Sequence, residues 1–235
     1  MNPILLHLEL DVVALLVAAA AGVAVYKLAF PDEYKHPAVD GYRHYLFTLS
    51  LGAVCGAMVL GTLNLYVSGV TGVGRSILGA ILGAIAAVEW YKARHGIRES
   101  TGAALVVPLG TGIAVGRIGC FLVGLPDYTY GTPTTLLWGR DFGDGVLRHP
   151  VQLYEAFSVA LATLAFIFIL KLRPHIAVKA GFYLFVAWYG AQRFALEFIK
   201  PYADVLGSLN VFHLGSLVLI AYALFMLHRA KSARS

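Results

Sequence analysis

Charge is scarce in this sequence. Asp, Glu, Lys and Arg make up 13% of the 235 residues, while 59% are hydrophobic. A soluble domain carries about 25% charged residues. The composition therefore excludes an ordinary water-exposed domain and points to an integral membrane protein. The basic residues are scattered between apolar runs and form no stripe, so the net charge of +5 does not indicate nucleic acid. Cysteine is scarcer still. Cys55 and Cys120 each lie in an apolar segment and read as small packing residues, not as a disulfide or a metal site. The first residues, Met1 to Asp11, lack a positive n-region, so no cleaved signal peptide is expected. Internal repeats and low-complexity tracts are also absent, which weighs against a transporter built from inverted repeats.

What the sequence does have is long apolar runs. They predict about seven spanning helices, near residues 12–30, 44–67, 76–91, 102–122, 151–170, 180–199 and 211–227. The expected fold is an all-α membrane protein, a single polytopic domain over residues 1–235. A small extracytoplasmic loop or head is expected near residues 123–150, where Asp127, Tyr128, Tyr130, Trp138, Asp141 and several glycines cluster. Residues 31–42 read as a polar loop. Gly52/Gly56, Gly79/Gly83 and Gly112/Gly116 are pairs of small residues four apart, the pattern of close helix crossings.

Lysine and arginine set the expected orientation. Lys27, Lys35 and Arg43, then Lys92, Arg94 and Arg98, then Lys171, Arg173 and Lys179, then Arg229, Lys231 and Arg234 occupy alternate connections. They are twelve of the eighteen cationic residues. Cytoplasmic placement of these connections puts the N-terminus outside and the C-terminus inside. The other six are Arg75, Arg117, Arg140, Arg148, Arg193 and Lys200, and all fall on the opposite side. Each has an ordinary reading: it snorkels to headgroups or pairs with a nearby acid. Arg117 and Arg193 lie within spans, where an arginine costs a few kcal/mol unless it faces protein or a wet cavity.

Three stretches could carry chemistry. Gly110 to Leu122 is apolar and glycine-rich, with Arg117 inside it, and Gly116 and Gly119 would allow close approach of a helix or a headgroup. Arg148-His149-Pro150-Val151-Gln152-Leu153-Tyr154-Glu155 opens the fifth span. Pro150 suits a first helical turn, whose free N–H groups favour an anion. Gln152 and Glu155, three apart, share a face. His149 offers a base or a hydrogen-bond donor. In the sixth span Arg193 and Glu197 are four apart on one face, either as a neutralising ion pair or as a pair with donors left for a phosphate. Glu89 is expected to pair with Lys92. The cationic sites together read as one phosphate-gripping cavity.

These three stretches resemble the motifs of the prolipoprotein diacylglyceryl transferase family. Gly116-Arg117-Ile118-Gly119-x-Phe121 is similar to its signature. Arg148-His149-Pro150-x-Gln152-Leu153-Tyr154-Glu155 and Gly190-x-x-Arg193-Phe194-x-x-Glu197-Phe198 match two further motifs in the same order. The resemblance implies an inner-membrane enzyme of lipoprotein biosynthesis. Such an enzyme moves diacylglyceryl from phosphatidylglycerol to the thiol of a lipobox cysteine in a preprolipoprotein, without metal or soluble cofactor. It implies that Arg117 and Arg193 are essential, with Glu155, Glu197 and His149 around them. Gly116, Gly119, Arg148, Gln152 and Tyr154 would line the substrate. The sequence departs from the family pattern at four places. Cys120 stands where the family has Asn, and Val123-Gly124-Leu125 where it has Asn-Gly-Glu. Ser76 to Gly79 offers no histidine, and the first span has no tyrosine near its outer end. A divergent branch follows, with a sister transferase using another acceptor, or a non-catalytic phospholipid-binding or transport protein, as alternatives.

Overall fold

A computed structural model describes residues 3–32 and 42–232. Most of the expected 31–42 loop, with Lys35, lies outside the described residues. Seven helices run through the rest: α1 (Pro3–Leu28), α2 (Tyr42–Val67), α3 (Ile77–Arg94), α4 (Val106–Val123), α5 (Val151–Leu172), α6 (Pro174–Glu197) and α7 (Val211–Ser232). Two short antiparallel hairpins join them. One is β1 (Arg140–Asp141) with β2 (Leu147–Arg148), and the other is β3 (Asp204–Leu206) with β4 (Leu209–Asn210). Among the described residues, five segments are long and apolar enough to cross a membrane: Leu5–Leu28, Tyr42–Val67, Ala103–Val123, Val151–Leu172 and Val211–Lys231. The chain is an all-α, multi-pass membrane protein.

Two of the seven expected spans do not reach that measure. Glu89, Lys92 and Arg94 fall within the 18 residues of α3, and α6 is diluted by Lys179, Gln192, Arg193 and Glu197. Two helix starts also differ from expectation. α1 begins nine residues before the expected start, at Pro3, because helix continues through Glu9 and Asp11, which interrupt the apolar run. α6 begins at Pro174, leaving only Arg173 between it and α5. Proline at the first helical position costs no hydrogen bond, so the chain turns there at once, and Lys171 and Lys179 are helical rather than loop residues.

The chain packs as two compact units, residues 1–30, 102–185 and 195–201 in the first and 31–101, 186–194 and 202–235 in the second. In the first, α4 packs on both α1 and α5. Gly22 meets Pro108, Gly119 meets Leu10, and Gly110 lies under Thr163 and Phe185. Val106, Val151 and Val159 are almost fully buried there. The 124–150 connection is ordered: the His149 N–H donates to Thr132 O at 3.1 Å, and the Thr132 N–H donates to Ile199 O at 2.8 Å. Asp141 Oδ1 accepts the N–H groups of Gly143, Asp144 and Gly145 and closes the β1–β2 turn.

In the second unit α2 and α3 cross closely. A Cβ on Gly52 or Gly56 would overlap the backbone of Gly83 or Gly79, so the expected small-residue pairs form this crossing. Ser76 caps α3, its hydroxyl accepting the Gly79 N–H at 3.2 Å. Tyr45, Val88 and Tyr91 form an apolar cluster. Outward faces of α1 and α2 carry Leu15, Leu16, Phe47 and Val59, each more than 60% exposed. Apolar exposure of this extent on each helix suits lipid as the solvent.

Candidate functional site

Four charged side chains meet inside the first unit. Arg117, in the last turns of α4, places Nε 3.0 Å from Glu155 Oε2. Glu155 lies one turn into α5, whose start at Val151 is set by Pro150. Lys200, just past α6, places Nζ 3.6 Å from the same Glu155 oxygen and 3.3 Å from Glu197 Oε1. No side chain in the set is more than 6% exposed. Two cations and two anions balance, which a low-dielectric interior requires. Lys200 therefore takes the ordinary reading of a cation paired with nearby acids, yet as a buried member of the site, not a headgroup contact.

Gln152 lies one turn before Glu155 and is 1% exposed. Neither its amide oxygen nor its amide nitrogen has a hydrogen-bond partner among the described residues. An unsatisfied buried amide costs about 1–3 kcal/mol, so this group is built to meet a polar ligand or water.

A second polar group sits at the joint of α1 and α4. His7 Nε2 is 2.7 Å from Asp127 Oδ1, and Nδ1 is 3.1 Å from Asp11 Oδ2. Thr129 donates to the other Asp127 oxygen. Asp127 reaches this point because α4 stops at Gly124, at a positive φ of 74°, and a 3-10 turn over Leu125–Asp127 folds back. Burial would raise the Asp127 carboxyl, but hydrogen bonds from His7 and Thr129 outweigh it and hold the group below the ordinary carboxylate value. Cys120 Sγ is 3.8 Å from Arg117 Nη1, which joins this group to the ion pairs.

The other expected residues fall as follows. His149 Nδ1 is 3.4 Å from the Tyr154 hydroxyl, which also accepts from Trp138 Nε1 at 2.7 Å. Arg148 pairs with Asp144 at 2.7 Å and covers the Tyr130 ring at 5.2 Å. The neighbours recorded for Gly116 and Gly119 are Ala14 and Leu10 of α1, so both glycines serve helix packing. The structure thus joins Arg117, Glu155 and Glu197, with Gln152 one turn away. It joins His149 to Tyr154, and Arg148 to the hairpin. In the second unit Arg193 is 3% exposed, with its guanidinium 5.1 Å over the Phe212 ring; the neighbouring Gln192 amide atoms are buried without a partner among the described residues.

Two features were missed in the sequence. Lys200 is three residues after Glu197, a spacing that was available as a signal. The His7–Asp127–Cys120 group had none, because His7 is distant in sequence and its helix starts before the apolar run does.

The model of the family described as prolipoprotein diacylglyceryl transferase matches residues 3–229. The chain belongs to that family. It is 34% identical over 177 residues to the phosphatidylglycerol–prolipoprotein diacylglyceryl transferase of Cupriavidus pinatubonensis, covering 69% of this chain and 61% of that protein. It is 40% identical over 142 residues to the enzyme of that name from Nitratidesulfovibrio vulgaris, covering 58% and 51%. It is 36% identical over 143 residues to that of Pseudomonas paraeruginosa, covering 58% and 51%. The matches span about half to three-fifths of the length of these relatives. Membership in the diacylglyceryl transferase family agrees with the resemblance carried by the three motifs.

Proposed function

We propose that this protein is a phosphatidylglycerol–prolipoprotein diacylglyceryl transferase of the bacterial inner membrane, with its N-terminus extracytoplasmic and its C-terminus cytoplasmic. The supporting observation is the buried Arg117–Glu155 pair with the unsatisfied Gln152 amide one helical turn away. In the reaction a lipobox thiol loses its proton, and sulfur bonds to the terminal glyceryl carbon of the donor. The carbon–oxygen bond to phosphate breaks, and glycerol phosphate leaves with the electron pair. Negative charge grows on the leaving phosphate, and fixed guanidinium donors in a dry site stabilise it.

In this reading Arg117 binds that phosphate and Glu155 holds the guanidinium in place, with Lys200 balancing the charge. Glu197 fixes Lys200, and Arg193 keeps its expected role of an essential arginine. Gln152 donates to a headgroup oxygen. His149, with Tyr154 and Trp138 around it, accepts the thiol proton. Arg148 lies at the edge of the 124–150 connection, where the headgroup or the acceptor peptide arrives. Gly116 and Gly119 let α1 close on α4 so that Arg117 is shielded from lipid tails.

A second reading keeps the donor and changes the acceptor. It is favoured by Val123-Gly124-Leu125, which replaces a polar family segment beside Arg117. The purified protein, given headgroup-labelled phosphatidylglycerol with and without a lipobox peptide, separates the two. The first reading expects peptide thioether and released glycerol phosphate in equal amounts. Glycerol phosphate without modified peptide selects the second. Bound lipid with no cleavage under either condition contradicts both.

A further inference from the structure

We infer that the C-terminal ends of α3 and α7 form a binding site for the phosphate of an anionic phospholipid, gripped by Arg94 and Arg229 over the rings of Trp90 and Phe225. The site needs only the membrane fold. That it faces the cytoplasmic leaflet rests on the orientation proposed above.

Within the second unit α3 and α7 run parallel and in register. Gly215 meets Leu78 and Leu82, and the Tyr222 hydroxyl donates to Glu89 at 2.9 Å. Both helices advance by the same two turns between these contacts. At about 100° per residue, Trp90 and Phe225 then project from the same side of the pair. α2 covers that side nearer the start of α3, where Gly56 meets Gly79 and Gly83. By the level of Tyr91, whose ring meets Tyr45 edge-on at 5.8 Å, α2 has crossed to the face of α3 away from α7. The crossing leaves Trp90 and Phe225 each 59% exposed.

The two arginines repeat one arrangement. Each follows its ring by one helical turn and folds back over it. The Arg94 guanidinium is 5.5 Å from the Trp90 centroid, and that of Arg229 is 5.8 Å from the Phe225 centroid. Helical side chains lean toward the helix start, so both cations turn toward the bilayer instead of reaching out to water. Among the described residues neither is paired with a carboxylate. The acid on this stretch of α3, Glu89, is occupied by Lys92 and Tyr222. Arg229 has one further contact, Nη1 at 4.0 Å from the Met226 sulfur, which is a weak acceptor. A ring covers one face of a guanidinium and leaves its in-plane N–H donors open. Those donors are the ones that a phosphate takes in pairs.

The ligand follows from this wall. Two cations without acids sit above exposed rings and beside Leu224, which is 58% exposed. A phosphate that carries hydrocarbon tails meets both parts, whereas a soluble anion meets only the first. A zwitterionic headgroup brings its own cation into the same place and is disfavoured. Charge bias alone asks for cations at this end, not for their stacking on rings one turn back. Arg98 and Lys231 are exposed at the same end and rest over no ring among the described residues. They add to the field that gathers anionic lipid without building the site. A phosphate held by both arginines ties the ends of α3 and α7 together.

The test uses the full chain carrying Trp138→Phe and Trp188→Phe, both at exposed positions, which leaves Trp90 as the one tryptophan of the three. It is placed in vesicles of phosphatidylcholine and phosphatidic acid, with bromine on the acyl chains of one lipid or the other. A brominated lipid quenches Trp90 fluorescence when it sits beside that ring. Phosphatidic acid has no glycerol phosphate to release, so the result is independent of the transfer reading. Both leaflets carry both lipids, so it is independent of orientation too. Phosphatidic acid is expected to bind beside Trp90 at least about fivefold more tightly than phosphatidylcholine. Arg94→Gln with Arg229→Gln is expected to bring that ratio close to one. Arg98→Gln with Lys231→Gln removes the same charge from the same end and is expected to keep most of the preference. Equal quenching by the two lipids with both arginines in place overturns the site without reference to any arginine variant's folding. A preference that survives loss of Arg94 and Arg229, or that falls equally in the two double variants, overturns it as well.

Discussion

The second unit buries Lys92 at 4% side-chain exposure beside Glu89, 2.9 Å away, and the Tyr222 hydroxyl donates to the same Glu89 oxygen at 2.9 Å. Glu89 is a third exposed, so that pair keeps contact with its surroundings. The first unit buries Arg117, Glu155, Glu197 and Lys200 together, and next to them leaves both ends of the Gln152 amide without a partner among the described residues. Buried ions in a membrane protein are therefore not a functional mark by themselves. The mark is unused polar capacity next to the buried ions: Gln152 supplies it one turn from Glu155, whereas the buried Gln192 amide of the second unit neighbours Arg193 in sequence and not the Glu89–Lys92 pair.

That contrast can be broken most forcefully at Glu155. Glu155→Gln leaves Arg117 and Lys200 without the anion they share, and thermal unfolding in detergent is expected to show a loss of about 3–5 kcal/mol. Glu89→Gln in the second unit is expected to lose less, because Glu89 is a third exposed and the glutamine oxygen still accepts from Lys92 and Tyr222. Equal losses at the two positions would erase the distinction.

Gln152→Leu sharpens it in the opposite direction. Removing an unsatisfied buried amide is expected to stabilise the lipid-free protein by about 1 kcal/mol while raising KM for phosphatidylglycerol. A variant that loses stability and keeps its KM would show that the amide serves the fold.

The smallest effect is expected at Asp144, whose carboxyl is held below its usual range by the hydrogen bond from Arg148. Its folded value is the depressed one, so the pair's contribution is present above about pH 4 and is lost as pH falls through that lower value. Asp144→Asn should remove this acid-side dependence and lower stability at neutral pH only by the pair's small contribution, because the residue is exposed.

Helix number and most helix positions were legible because bilayer length and apolar runs translate directly into spans. The Gly52/Gly56 and Gly79/Gly83 crossing and the Glu89–Lys92 pair were legible because four- and three-residue spacings are helical neighbours. Helix starts were not, since Glu9 and Asp11 hide the beginning of α1 and Pro174 starts α6 at once. Within the site, Arg117, Glu155 and Glu197 could be named from motifs, but not the sharing of Glu155 by Arg117 and Lys200. That depends on α4, α5 and the end of α6 meeting. Cys120 was read as packing because its partners, His7 and Asp127, come from a helix start and a turn that no periodicity reveals.

The central claim is that Arg117, held by Glu155, stabilises the departing phosphate. The direct measurement is glycerol phosphate release from labelled phosphatidylglycerol by Arg117→Ala and Arg117→Lys, each shown to be inserted and folded. The account predicts a fall of about a hundredfold to a thousandfold for alanine and little rescue by lysine, whose point charge cannot replace a planar fork. Release at the wild-type rate by Arg117→Ala would contradict it.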